Sequence, residues 1–106
     1  MTHRKQTATI SGGQNNSAIG DFTVISGGKA NIASDIYGVV SGGLFNIASA
    51  FASAVAGGVS NSAQAKYSIA AAGKNNIIPA TAPYATVSGG LYNEVIDNCG
   101  TISGTL

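Results

Sequence analysis

A motif of the type Ser-Gly-Gly recurs along the whole chain and constrains its fold more than any other feature. The motif starts at positions 11, 26, 41, 56, 71, 88 and 103, so the spacings are 15, 15, 15, 15, 17 and 15 residues. An asparagine stands five residues after each of the first six starts, and an apolar side chain stands immediately before every start. A sequence with a fixed short period forms a repeat architecture in which each unit stacks on the next.

The residues that precede each motif alternate with the period of a β-strand. The side chain immediately before the motif is always apolar, and the side chain two residues earlier is always small. Glycine pairs at this period would break a helix, whereas the alternation fits a strand with one face turned into a narrow coil. Two short strands and two turns per unit therefore predict an all-β fold, a parallel β-roll or β-solenoid with about 15 residues per coil.

One region departs from the regular period. Residues 78–83 contain both prolines and two additional residues, which predicts a loop that bulges from one corner while the flanking coils stay in register. We therefore assign residues 7–106 to a single β-solenoid of about six and a half coils with a two-residue insertion near 78–83. Residues 1–6 are assigned to an N-terminal tail or cap.

Two columns of the repeat are predicted to have structural roles. The second glycine of each motif is expected at a corner, where a positive φ angle has no steric cost. The asparagines are expected to stack and to hydrogen-bond along the axis. The glycines are Gly13, Gly28, Gly43, Gly58, Gly73 and Gly90, and the asparagines are Asn16, Asn31, Asn46, Asn61, Asn76 and Asn93.

A coil of this size buries little apolar surface by itself, because most of its inward side chains are small. Association is therefore expected to contribute to folding. Phe22, Tyr37, Tyr67 and Tyr84 recur at one outward position, which Cys99, the single cysteine, also shares. We predict that the four aromatic residues form the seam of a homotrimer, whose chains are intertwined or lie side by side.

Residues 25–33, Ile-Ser-Gly-Gly-Lys-Ala-Asn-Ile-Ala, resemble the head repeats of trimeric autotransporter adhesins, the YadA-like head family, whose pattern is Val-Ala-Ile-Gly-x-x-Ala-x-Ala. The family's glycine matches the second glycine of each motif, and its last alanine matches Ala18, Ala33, Ala48 and Ala63. The resemblance covers roughly residues 7–106. Because each unit is one residue longer and has Ser-Gly and Asn in place of Ala-Ile and Ala, the chain is similar to a Ser-Gly-Gly-x-x-Asn-x-Ala variant. The resemblance implies a left-handed parallel β-roll, a homotrimer, outward display and attachment, with no active site.

Residues that carry chemistry are sparse. The one histidine, His3, precedes the first coil, and the glycine-rich motif lacks the lysine and hydroxyl residue of a phosphate loop. We therefore expect no enzyme, no catalytic residue, no cofactor and no metal, with a weak cation site between Asp21 and Asp35 as the alternative.

A net charge of +1 provides no basic stripe for nucleic acid. No targeting signal and no apolar run of membrane-spanning length is present, so no direct membrane insertion is expected.

The expected function is structural and adhesive. The chain is predicted to be a trimeric head or fibre segment that attaches to a host cell, a matrix protein or a glycan, displayed outside the cell at the outer membrane. The alternatives are a phage or viral fibre segment on a virion surface, and a flat solenoid face that binds ice or a small molecule. The candidate receptor contacts are turn residues that vary between coils: Lys29, Leu44, Phe45, Lys74, Leu91 and Tyr92. An outward Leu44–Phe45 or Leu91–Tyr92 pair is equally well explained by lateral packing between rods.

Overall fold

The computed structural model describes residues 2–3 and 7–104 of the chain. These residues form a parallel β-solenoid without any helix, and successive coils are about 15 residues apart, which confirms the predicted fold class. The rod measures 34 Å along its axis and 20 by 13 Å in cross-section. Among the described residues no segment forms a helix that could cross a membrane.

Each full coil contributes two strands of two residues, one to each of two parallel sheets. The strands are β1 Thr2–His3, β2 Thr9–Ile10, β3 Ser17–Ala18, β4 Val24–Ile25, β5 Ile32–Ala33, β6 Val39–Val40, β7 Ile47–Ala48, β8 Ala54–Val55, β9 Ser62–Ala63, β10 Ile69–Ala70, β11 Ile77–Ile78, β12 Thr86–Val87 and β13 Thr101–Ile102. The first sheet has the order β1-β3-β5-β7-β9-β11, and the second has the order β2-β4-β6-β8-β10-β12-β13. A third ladder, made of isolated bridges, links residues 14, 29, 44, 59, 74 and 91.

The first sheet extends further towards the N-terminus than the repeat motif indicates. β1 pairs in parallel with β3, with Thr2 opposite Ser17 and His3 opposite Ala18. The solenoid register therefore begins inside the segment 1–6, which the sequence pattern assigned to a tail or cap. The other residues of that segment lie outside the described residues.

The two additional residues form a compact loop between β11 and β12. β10 pairs with β12 across an offset of 17 residues, Ile69 opposite Thr86, and β12 pairs with β13 at the regular offset. Within the loop, the backbone N–H of Ala82 donates to the carbonyl of Pro79 at 3.0 Å, and Ala82 is fully buried. Residues 80 and 81 are exposed. The sheet is therefore continuous across the insertion.

Each strand between β3 and β12 contributes one inward side chain to the interior of the coil. The inward residues with no exposed surface are Ile25, Val40, Val55, Ala70 and Val87 in the second sheet and Ala18, Ala33, Ala48, Ala63 and Ile78 in the first. Ala70 is the smallest inward residue of the second sheet. Ile78, the next apolar core residue along the chain, is the largest inward residue of the first sheet. The volume of the core is therefore kept nearly constant from coil to coil, as close packing requires.

Candidate functional site

The asparagine column forms a continuous hydrogen-bond ladder inside the solenoid. The Oδ1 atom of Asn31 accepts from the backbone N–H of Asn46 at 2.9 Å. Its Nδ2 atom donates to the carbonyl of Gly27 in the same coil at 3.1 Å and to that of Gly43 in the next coil at 3.0 Å. The same three bonds recur at Asn16, Asn46, Asn61 and Asn76. These buried amides are occupied by the fold itself and are not available to a ligand.

The second glycine of each motif lies where neighbouring coils approach closely. At Gly28 the φ angle is +88°, and a Cβ atom there would overlap the carbonyl oxygen of Gly43 and lie 2.7 Å from Nδ2 of Asn31. The φ angles of Gly13, Gly43, Gly58, Gly73 and Gly90 lie between 86° and 100°. A Cβ on the first glycine, Gly27, would meet no atom within 4 Å, and Ala72 occupies the equivalent position of the fifth motif. Only the second glycine is therefore required by the packing.

Five aromatic rings stack along one corner of the rod, and we call this column the aromatic ladder. Adjacent ring centroids are 5.2–5.6 Å apart. The first and last pairs of rings are nearly parallel, at 16° and 7°, whereas Phe51 in the middle meets both neighbours edge-on, at 87° and 73°. The ladder consists of Phe22, Tyr37, Phe51, Tyr67 and Tyr84. The four rings other than Phe51 are 48–59% exposed, so the ladder presents a continuous apolar ridge.

The ladder residues lie at a corner of the coil, not on the outward face of a strand as the alternating pattern suggested. Phe22, Tyr37, Tyr67 and Tyr84 all have φ angles near +60°. This conformation turns the amide towards the preceding coil, because the N–H of Tyr37 donates to the carbonyl of Asp21 at 3.1 Å. The N–H groups of the strand residues instead point towards the following coil. The backbone hydrogen bond offsets part of the ~1–2 kcal/mol that a left-handed conformation costs an L-residue.

Phe51 was not among the candidate seam residues. The residue at the column position of the third coil is Ala52, which has a φ angle of 55° like the other corner residues. Phe51 stands one position earlier, and its ring fills the gap between Tyr37 and Tyr67. The sequence does contain a signal for this ring. Ala52 interrupts the aromatic column, and Phe51 stands immediately before it.

An apolar row of side chains lies beside the aromatic ladder on the outward side of the second sheet. It consists of Val24, Val39, Ala54 and Ile69. Ile69 is 44% exposed and the other three are half-buried. Thr9 continues the row at one end, and Thr86 and Thr101 continue it at the other. We call the ladder and the apolar row together the seam face, which has an apolar centre and polar ends.

A shallow, open groove of about 520 Å³ lies on the other flank of the aromatic ladder. It is lined by Asp35, Phe51, Lys66, Tyr67 and Tyr84, and by none of the outward residues of the second sheet. The Oδ1 atom of Asp35 accepts from the N–H of Ile36 at 2.7 Å. Its Oδ2 atom and the ammonium of Lys66 have no hydrogen-bond or ion-pair partner among the described residues. The groove therefore presents aromatic surface together with one charged group that can accept and one charged group that can donate a hydrogen bond.

The structure divides the candidate receptor contacts into two groups. Four of them belong to the ladder of isolated bridges: Lys29, Leu44, Lys74 and Leu91. Phe45 and Tyr92 occupy corners with φ angles of +57° and are 55% and 69% exposed. Neither Phe45 nor Tyr92 contacts another aromatic ring in the part of the chain that the structure describes. They are therefore isolated apolar positions and do not form one surface.

The acidic residues do not assemble into an ion site in the described ranges, where no group of three His, Cys, Asp or Glu side chains could hold a metal. Asp21 and Asp35 stand at different offsets from the corner residues that follow them, Phe22 and Tyr37. Comparison with protein-family models and with curated proteins finds no match to the chain. Within residues 7–104, the seam face and the groove are exposed features that point to a function.

Proposed function

We propose that the chain is a non-enzymatic attachment module, a homotrimeric rod displayed on a cell or virion surface. The observation that carries the proposal is the seam face, in which a stacked aromatic ladder and an apolar row lie side by side on one long surface. The recurring asparagines and second glycines are fully used in holding neighbouring coils together. Interaction with other molecules therefore falls to the exposed faces.

The dimensions of the seam face support association between copies of the chain. One side of the rod, 34 Å long and 13–20 Å wide, covers on the order of 400–700 Å². Two rods that each bury such a side bury on the order of 800–1,400 Å² in total, the range of small protein interfaces. Its apolar centre and threonine ends match the core and rim of protein interfaces. Because the core of the coil consists largely of alanine, apolar surface buried between copies adds substantially to the hydrophobic stabilisation of the rod.

Three copies around a common axis are the arrangement that we favour. Closed rotational symmetry allows every rod to bury its long apolar face without forming an open polymer. The resemblance of the repeat to YadA-like heads supports three copies, a left-handed coil and outward display. A fibre segment of a phage or virus would use the same geometry and differ only in what carries the rod.

The ice-binding alternative has less support from the outward positions of the second sheet. Thr9, Thr86 and Thr101 share one column, but Val24, Val39, Ala54 and Ile69 interrupt it. A continuous row of threonines is therefore absent from this face of the described residues. An apolar centre between polar ends is the pattern expected of a contact between proteins.

Sedimentation equilibrium of the full chain tests the proposal. We expect a mass of three times 10.4 kDa. The double variant Val39→Thr/Ile69→Thr gives two outward positions of the second sheet the residue that Thr9 and Thr86 already supply in the same column. Its trimer should be weaker, while the circular dichroism of a β-fold is kept. Tyr92→Ala, which removes a corner aromatic outside the seam face, should remain trimeric. A well-folded wild-type monomer at every concentration would overturn the proposal.

A further inference from the structure

We propose that the groove beside the aromatic ladder binds a short neutral oligosaccharide that lies along the rod axis. The inference rests on the proposed attachment function and names the ligand class that the rod would hold. Exposed aromatic rings and unpaired charged groups occur together in the groove.

The shape of the groove suits a linear ligand. Its lining residues come from four successive coils, from Asp35 to Tyr84, so it extends over roughly 14 Å at a strand spacing of ~4.8 Å. It is open and shallow along this length. The ring centroids of Phe51, Tyr67 and Tyr84 follow one another at 5.6 and 5.2 Å. One sugar residue of an extended, β-linked chain has a similar length, so successive sugars would meet successive rings.

The composition of the groove suits a sugar. Binding sites for small molecules combine aromatic lining with a few polar groups that fix the orientation of the ligand. Phe51, Tyr67 and Tyr84 provide apolar carbon surface for the C–H groups of a sugar. Because Tyr67 and Tyr84 stack on each other, they would contact the sugar through their exposed ring edges. The hydroxyls of Tyr67 and Tyr84 have no hydrogen-bond partner among the described residues, and both side chains are about half exposed. In the single chain these hydroxyls are therefore free to bond a ligand.

The two charged groups match the hydrogen-bonding capacity of sugar hydroxyls. An ionised carboxylate only accepts and an ammonium only donates, whereas a hydroxyl does both. One sugar hydroxyl would donate to Oδ2 of Asp35, and another would accept from Nζ of Lys66. The whole chain has only five Lys and Arg and four Asp and Glu, so two of them in one groove is a marked concentration. Because their charges cancel, the groove has no electrostatic preference for a polyanion.

The same observations disfavour two other occupants. A cage for an organic cation needs ring faces arranged around a cavity, but Tyr67 and Tyr84 are stacked on each other, 7° from parallel. Burial of the groove against another copy of the chain would desolvate Asp35 and Lys66, and charged residues are depleted from interface cores for that reason. The groove therefore stays open at the edge of the seam face when copies associate.

Calorimetric titration of the full chain tests the site. The ligands for the titration are the β-1,4-linked trisaccharides of glucose and of N-acetylglucosamine. A separate glycan array presents neutral and acidic glycans. We expect binding of at least one neutral oligosaccharide. Asp35→Asn and Lys66→Gln should each weaken it by about tenfold or more, as expected for the loss of a hydrogen bond to a charged group. The control variants Asp97→Asn and Glu94→Gln, which also neutralise a charge at exposed positions outside the groove, should bind like the wild type.

Sedimentation of each variant separates this proposal from the proposed function. A trimer that binds neither trisaccharide and no neutral glycan on the array overturns the groove assignment alone. A folded monomer that binds as expected overturns the association and supports the groove. Equal weakening by the groove variants and by their matched controls, or binding of acidic glycans only, also overturns the assignment.

Discussion

The side-chain carbonyl of Asn16 accepts a hydrogen bond from the backbone N–H of Asn31, 2.9 Å away and one coil further along the rod. The same bond joins Asn31 to Asn46 and continues to Asn93. The strands of this solenoid are only two residues long, so strand pairing alone specifies the register weakly. The asparagine column adds a second link at every coil, and a slip of one residue would break all of its bonds.

Replacement of Asn46 by alanine should strongly destabilise the rod. The change leaves the carbonyl of Gly42 and the N–H of Asn61 without a partner, and the carbonyl of Gly58 keeps only its bond from the N–H of Leu44. Each buried polar group that loses its partner costs ~1–3 kcal/mol, so we expect the free energy of unfolding to fall by about 3 kcal/mol or more. Urea unfolding followed by circular dichroism measures this loss.

Asn75→Ala is the matched control for that variant. Asn75 occupies a partly exposed corner with a φ angle of 57°, and the second coil has alanine at the same position. Its free energy of unfolding should change by no more than ~1 kcal/mol, the cost of losing the preference of asparagine for this conformation. Equal losses in the two variants would contradict the special role of the buried column.

The two glycines of one motif should respond in opposite ways to alanine. Gly43→Ala places a Cβ against the carbonyl of Gly58 and 2.5 Å from Nδ2 of Asn46, at a φ angle of 94°. We expect it to destabilise the fold by ~2 kcal/mol or more. Gly42→Ala meets no atom within 4 Å and should be neutral or stabilising by ~0.4–1 kcal/mol. Thermal melts of both variants test the difference, and similar melting temperatures would contradict it.

Most of the fold could be predicted directly from the repeat in the sequence. Apolar, small, glycine and asparagine columns each recur at the same offset, and their chemistry predicts an inward side chain, a corner and an axial hydrogen bond. These predictions depend on residue type and spacing alone. The strand Thr2–His3 was not predicted because the motif columns that identify a coil are absent from the first six residues.

The groove and the full aromatic ladder could not be predicted from the columns. Both depend on side chains at different offsets in successive coils, such as Phe51 beside Ala52, and those offsets become neighbours only once the corner conformation is known. Phenylalanine and tyrosine are uncommon at positive φ, so nothing in their local sequence indicated a left-handed corner at Phe22 or Tyr37.

Replacement of Phe51 by alanine should interrupt the aromatic ladder. It removes the two edge-on contacts with Tyr37 and Tyr67, and aromatic pairs contribute ~0.5–1.5 kcal/mol each beyond their buried area. We expect the free energy of unfolding to fall by ~1–3 kcal/mol, and binding at the groove to weaken. Phe45→Ala, at an exposed corner without a ring partner in the described residues, should change the free energy of unfolding by less than ~1 kcal/mol. Chemical denaturation of the two variants side by side gives the comparison, and equal losses would contradict the role of the ladder.

The proline-containing loop should be dispensable for the register. Deletion of Pro79 and Ala80 restores the 15-residue period and leaves Thr81 where the third coil has Ser49. Because shortening an exposed loop changes its closure entropy little, we expect the free energy of unfolding to stay within ~1 kcal/mol of the wild type. Urea unfolding measures this change. A large loss of stability would show that the loop contributes to holding β11 and β12 in place.

Association along the seam face is tested most directly by the distance between copies of Cys99. This single cysteine is exposed and occupies the corner column of the ladder, one coil beyond Tyr84, so a spin label can be attached there in the wild-type chain. Parallel rods joined along the seam face should give one dipolar distance, shorter than the 20 Å width of a single rod. An absence of dipolar coupling, or a distance comparable to the 34 Å length of the rod, would contradict the parallel trimer.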